Sequence, residues 1–264
     1  MKKVTQTALK ALFAALLLQG GISCSGEGGT QEPGQKDSTE QIPSTTHSYS
    51  QPAILDYGQE LDALKEAFYP IGWSPSGQLA YYHEPFPGET GMYLAQLCLF
   101  DPATSGTQVL WELGTDAEMP FDEGGIKTLW EKEGQAFADL LGQREVVPTQ
   151  AFQMLGKEFS YEGKDYTLSV ETATKEHPYD GYRVVSQASF IVRNKEMGAQ
   201  QVEDKLPEDE IFMLDAHVFG VLLQPSSSKG IMLCAYERTG IGGPPNYLKI
   251  KIVPINLSQG FNAM

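Results

Sequence analysis

The sequence predicts an α+β protein that is mainly β: antiparallel meanders covered by one long and one short helix. Three observations carry this expectation. Apolar or β-branched residues alternate over eight separate stretches, Pro, Gly, Ser and Asn punctuate them, and only two windows place apolar residues at helical spacing.

The chain opens on a basic stretch, with Lys2, Lys3 and Lys10 preceding the uninterrupted apolar segment Ala11 to Leu18, and no acid occurs before Glu27. A membrane-crossing helix needs roughly 20 apolar residues. This run stops at Gln19 and passes into Gly20 and Gly21, so residues 1–23 read as a signal peptide. The small residues and the cysteine that close it, Ser23 and Cys24, resemble the bacterial lipoprotein signal, although Gly21 stands where that signal usually carries Leu. The resemblance implies acylation of Cys24, which would become the new N-terminus. Attachment through two or more acyl chains is stable, because each buried methylene contributes about 0.8 kcal/mol. Ser25, standing where Asp would retain such a protein at the inner membrane, implies the outer membrane, with either the periplasmic or the surface face open. The expected location is the bacterial cell envelope.

From Ser25 to about Pro52 the chain is mostly Gly, Ser, Thr, Gln, Glu and Pro, with one aliphatic residue, Ile42. Such a segment buries too little apolar surface to offset ordering. With Cys24 it forms a tether, residues 24–52, with a reach of about 30 Å as a flexible coil. Residues 53–264 are long enough for a single globular, mostly β domain.

Within that domain, Gln59 to Phe68 puts Leu61, Leu64 and Phe68 on one helical face, with Asp56 as a cap. The stretches Gln78 to Glu84, Tyr93 to Phe100 and Gln108 to Glu112 read as strands. Ser74, Pro75, Ser76 and Gly77 match a type I turn, with Pro at its second position and Gly at its fourth, so the flanking strands should form a hairpin. Ile126, Leu129, Trp130, Phe137, Leu140 and Leu141 form the stripe of the longer helix, from about Gly125 to Gln143. Gly134 on that stripe predicts close approach to a sheet. Further strands are expected at Tyr166 to Thr172, Tyr182 to Arg193, Ile211 to Leu223, Ile231 to Glu237 and Tyr247 to Ile255.

A weak internal repeat relates GWSPSGQLAYYHEPFPGETGMYLAQLCLFD (Gly72 to Asp101) to GVLLQPSSSKGIMLCAYERTGIGGPPNYLKIKIVPIN (Gly220 to Asn256). Each runs strand, turn, strand ending in Tyr and Glu, Gly/Pro loop, then Tyr-Leu opening another strand. This pairing puts the loops Pro85 to Met92 and Arg238 to Asn246 at equivalent positions. The stretch IGWSPSGQLAYY followed by LCLFDPATSG (Ile71 to Gly106) resembles one blade of the Tol-type and WD40-like β-propellers. Across the whole chain there is a fainter similarity to predicted secreted bacterial proteins of unknown function, which implies no activity. The resemblance makes the meanders propeller-blade-like and gives a small β-propeller as the alternative fold. One good copy and one degraded copy fall short of the usual four or more blades.

Nineteen basic and 34 acidic residues give a formal charge of −15 at pH 7, and removal of residues 1–23 takes away three lysines and no acid, leaving −18. That field repels phosphate backbones, so nucleic acid is not an expected partner. Beyond Cys24 the cysteines are Cys98 and Cys234, both in predicted strand interiors. They read either as a disulfide or as two buried thiols.

No catalytic constellation is legible. His47, His83, His177 and His217 show no metal-ligand spacing, and no cofactor motif occurs. Asp215 and His217 should share one side of a strand, where they could orient a base, but no Gly-x-Ser-x-Gly elbow accompanies them. Glu118, Asp122 and Glu123 precede the long helix, where they suit its N-terminal dipole. The run IGGPP (Ile241 to Pro245) lacks the Lys-Ser/Thr of a phosphate loop and reads as a turn.

Aromatic groups with polar tips are common on recognition surfaces. Tyr82, His83 and Phe86 from one loop region and Arg238, Ile241 and Tyr247 from its counterpart form the expected binding face. The sequence is compatible with two classes of function. One is a non-catalytic module that binds an envelope protein or a small ligand and contacts the membrane only through its lipid anchor. The other is an envelope hydrolase or glycan-processing enzyme whose residues meet only in the fold.

Overall fold

The strand from Lys229 to Arg238 is apolar on both faces, and this places it at the centre of the fold. Met232, Cys234 and Tyr236 point into one core cluster, while Ile231, Leu233 and Ala235 point into another. A strand with no polar side must lie in a sheet covered on both faces. The computed structural model describes residues 49–86, 93–115, 125–240 and 243–263.

The first strands are β1 (Leu64–Lys65), β2 (Ala67–Trp73), β3 (Leu79–Glu84), β4 (Tyr93–Asp101) and β5 (Gly106–Thr115), followed by the helix α1 (Ile126–Gly142). The chain continues through β6 (Val147–Pro148), β7 (Glu158–Tyr161), β8 (Lys164–Glu176), β9 (Arg183–Asn194) and β10 (Gly198–Lys205). It ends with β11 (Met213–Leu223), β12 (Lys229–Arg238) and β13 (Tyr247–Asn256). Three sheets result, in the orders β1-β13-β12-β11, β10-β9-β8-β7 and β5-β4-β3-β2-β6. All pairings are antiparallel except the short one of β1 with β13.

Side-chain alternation stacks these sheets. Phe190 and Val192 of β9 meet Val218, Met232 and Val253 in one cluster. Phe68, Leu79, Tyr81, Cys98 and Phe100 meet Leu222, Leu233 and Leu248 in the second. Ala80, Tyr82, Leu97 and Leu99 turn to the opposite side, where Leu129, Trp130, Phe137 and Leu141 of α1 cover them. The order of layers is therefore β7–β10 sheet, central β11–β13 sheet, β2–β5 sheet, helix.

The eight predicted strands and the long helix are present, and the Ser74 turn closes its hairpin through Gly77 N–H donating to Ser74 O at 2.9 Å. The short helix is not formed. Gly58 sits at φ +59° with Leu248 and Phe219 side chains 3.0 Å from where a Cβ would stand. The chain turns there, with Leu61 N–H donating to Gly58 O at 3.2 Å. Asp56 receives Gln59 Nε2 at 2.7 Å, and the chain beyond this turn enters β1 and β2. Phe68 is buried from a strand, and Leu64 is exposed. Gly134 makes no close approach to a sheet, since a Cβ there would meet only Trp130 of its own helix, at 3.6 Å.

The two members of the internal repeat are both three-stranded meanders, β2-β3-β4 and β11-β12-β13. Each first strand holds a one-residue bulge, at Ile71 and at Phe219, immediately before a glycine. The bulge reverses side-chain phase: Val218 and Val221 face the same cluster although they are three residues apart. The glycines are required by close approach, because a Cβ at Gly72 would stand 2.1 Å from Val147 O and one at Gly220 2.1 Å from Leu155 O. Three sheets with an added helix fall short of a propeller, whose ring needs four or more blades.

Candidate functional site

Glu66, between β1 and β2, is 5 % exposed, and its backbone position lets it reach two sheets at once. Its Oε1 accepts Phe86 N–H at 3.1 Å. Its Oε2 accepts Ile250 N–H at 2.8 Å and lies 3.1 Å from His83 Nε2. The Tyr57 hydroxyl donates to the Glu66 carbonyl. A buried carboxylate is tolerated when donors surround it, and this one is surrounded by two amides and an imidazole.

That anchor fixes the start of the loop after β3. Phe86 stacks on Tyr247 with ring centroids 4.4 Å apart at 15°. Tyr247 faces Arg238 in the β12–β13 register, and the Arg238 guanidinium carbon lies 5.8 Å from the Tyr247 ring centre and 5.1 Å from that of Phe212. Burial raises the Tyr247 hydroxyl pKa, while Arg238 beside it acts in the opposite direction. No carboxylate among the described residues lies within 4 Å of Arg238, which is held by rings instead.

A second polar group lies at the same end of β12. His217 Nε2 is 3.1 Å from Glu237 Oε2, and Asn246 Nδ2 donates to Glu237 Oε1 at 2.6 Å. The expected Asp215–His217 pair is not made. A register shift between Met213 and Asp215 accompanies an exposed Asp215, whose Oδ1 accepts the Ala216 N–H at 2.7 Å.

Of the expected binding face, His83, Phe86, Arg238 and Tyr247 come together. Tyr82 does not join them: it is fully buried against α1, edge-on to Trp130 at 6.4 Å, with its hydroxyl on Glu84 Oε1 at 3.0 Å. Ile241, Cys24 and the acids Glu118, Asp122 and Glu123 lie outside the described residues. Glu66 and Phe212 escape sequence reasoning, the first because it sat inside the expected short helix.

Cys98 and Cys234 are free and buried, in the clusters on opposite faces of the central sheet, so that sheet stands between the thiols. Burial pushes Cys98 up to about 11 and Cys234 well above its ordinary range. Both are therefore poor nucleophiles.

Among the described residues no group of three His, Cys, Asp or Glu side chains could hold a metal ion. A cavity of about 440 Å³ runs between residues 49–55 and 147–152, with Tyr49 donating to Val146 O at 2.7 Å beside it. Its walls carry no histidine, carboxylate or cation. A second cavity, of about 370 Å³, opens at the opposite end of β12, where Lys229 and Asp101 line it. Neither cavity reaches Asp215 or His217. Comparison with known proteins finds no matching family model, no matching curated protein and no matching solved structure.

Proposed function

We propose that this protein is a lipoprotein of the bacterial cell envelope, acylated at Cys24, whose folded domain is a non-catalytic binding module. Of the expected tether, residues 24–52, the part before Tyr49 acts as the tether, since Tyr49 itself bonds to Val146 and Trp130 of the domain, and the outer membrane is the membrane it occupies. The domain recognises an envelope protein or a small ligand through the face that Phe86, from the loop after β3, forms with Tyr247, Arg238 and Phe212 at the end of the central sheet. It does not bind nucleic acid, because a mature charge of −18 repels phosphate. In this reading the three stacked meanders are propeller-blade-like sheets in an unclosed set.

One observation carries the choice of face. In a chain with 34 acids and 19 bases, Arg238 lies over two aromatic rings with no carboxylate beside it among the described residues. Arginine and aromatic side chains dominate the energetics of recognition surfaces. A partly desolvated guanidinium held in place by rings has lost little freedom still to be lost on binding.

The test is chemical crosslinking in cells expressing the full chain or its Phe86→Ala/Arg238→Ala form, followed by recovery of the adducts. The reading expects the principal adduct to disappear from the variant while circular dichroism of the domain is unchanged. An unchanged adduct pattern rejects this face.

A further inference from the structure

At the turn end of the stack, away from Arg238, the three sheets diverge around the cavity of about 370 Å³. It is lined by the β2–β3 turn, the β4–β5 turn, the outer strand β10, the start of β12 and the end of β13. The volume lies in the range of small-molecule sites. Its chemistry is divided. Asp101 contributes a carboxylate, Lys229 an ammonium, and Pro102, Val202, Pro254 and Ile255 an apolar wall.

The two charges are unspent. Asp101 Oδ1 accepts the Ala103 N–H at 2.9 Å, which fixes the carboxylate in its turn, and Oδ2 has no partner among the described residues. The Lys229 ammonium likewise has none, so the two groups share a cavity without meeting within 4 Å. Two glycines also line it, each required by the fold itself. Gly77 adopts φ +86°, and a Cβ at Gly230 would stand 2.3 Å from Leu222 O.

We propose that this cavity binds a small zwitterion with an apolar side chain. The ligand ammonium meets Asp101, its carboxylate meets Lys229, and its side chain lies on Val202, Pro254 and Ile255. Opposite charges held apart by a fold each form a charge-assisted hydrogen bond to a ligand that carries both, whereas a ligand with one charge leaves the other group unmatched. A free amino acid and a dipeptide share this chemistry and differ in the separation of their charges.

The experiment is isothermal titration calorimetry of the intact chain in mild detergent with L-leucine, leucyl-leucine, leucinamide and 4-methylpentanoate. Two variants accompany it. Asp101→Asn keeps the oxygen that accepts Ala103 N–H, and Lys229→Met keeps the side-chain stem, so thermal unfolding should be unmoved in both. Saturable binding of L-leucine or leucyl-leucine is expected, and which of them binds more tightly identifies the source. Removing either charge from ligand or protein should weaken binding about ten-fold or more. No saturation by either zwitterion up to about 10 mM, a range that would detect affinities of about 1 mM, overturns the proposal. Binding that survives both substitutions overturns it as well.

Discussion

The Glu66 carboxylate accepts the Ile250 N–H at 2.8 Å across 184 residues of chain. Because the same side chain also takes Phe86 N–H and His83, it joins β13 of the central sheet to β3 and its loop in the next. The end of the sheets that carries Phe86, Tyr247 and Arg238 is thus built on a crosslink between two layers.

Glu66→Ala should be strongly destabilising. It leaves two amide donors without an acceptor in a buried position, which costs about 1–3 kcal/mol for each. Urea unfolding should show a lowered midpoint with an unchanged slope. Glu66→Gln should cost less, since its amide keeps one acceptor oxygen. Equal stability of Glu66→Ala and the parent would show that the crosslink carries no stability.

Glycine substitutions should split by position. Gly220→Ala places a methyl 2.1 Å from the Leu155 carbonyl and Gly72→Ala one 2.1 Å from that of Val147, so each must displace the segment hydrogen-bonded alongside it. A loss of about 2 kcal/mol or more is expected, in line with overpacking. Gly134→Ala meets only the Trp130 side chain at 3.6 Å and should stabilise α1 by about 0.5–1 kcal/mol. Thermal unfolding of the three variants separates the two outcomes.

Alkaline pH should weaken the fold. Burial holds the Cys98 thiol at about 11 against an ordinary 9.0, and it holds the Tyr69 hydroxyl at about 12 against 10.0. Between those values the unfolded chain has released protons that the folded chain retains. Stability is therefore full below about pH 8.5 and falls as pH rises through about 11. Urea midpoints at pH 8 and pH 10.5 check the direction, and a thiol reagent at pH 8 should react with Cys98 and Cys234 only after unfolding. Rapid native labelling would contradict their burial.

The sequence made the apolar strands legible and the polar edges illegible, for a physical reason. In β12 seven successive residues are buried, and such a run reads as a strand directly. In β10, GAQQVEDK, the strand pairs along its length with β9, touches Asn262 by one bridge at Ala199 and leaves Gln201, Glu203 and Lys205 in water, so hydrophobic alternation is nearly absent. Residues 59–68 failed differently. Leu61, Leu64 and Phe68 have helical spacing, but Gly58 packs against Phe219 in a left-handed conformation and the partner of Phe68 is His83 on β3. Tertiary contact overrode local periodicity there.

The site was legible to the same degree. Phe86, Arg238 and Tyr247 could be chosen because large aromatic and cationic groups near Gly/Pro loops are visible in a sequence. Glu66 could not, since its three partners lie 17, 20 and 184 residues away. His217 was assigned the nearer acid, Asp215, when the neighbouring strand supplies Glu237. Cross-strand partners depend on register, and register depends on bulges that the sequence does not announce.

The anchor at Cys24 is the central claim, because it decides where a partner must be sought. Cells expressing the full chain or its Cys24→Ala form should be fed a clickable fatty acid and fractionated. The account predicts lipid label and membrane pelleting in the parent and neither in the variant. An unlabelled, soluble parent would contradict it.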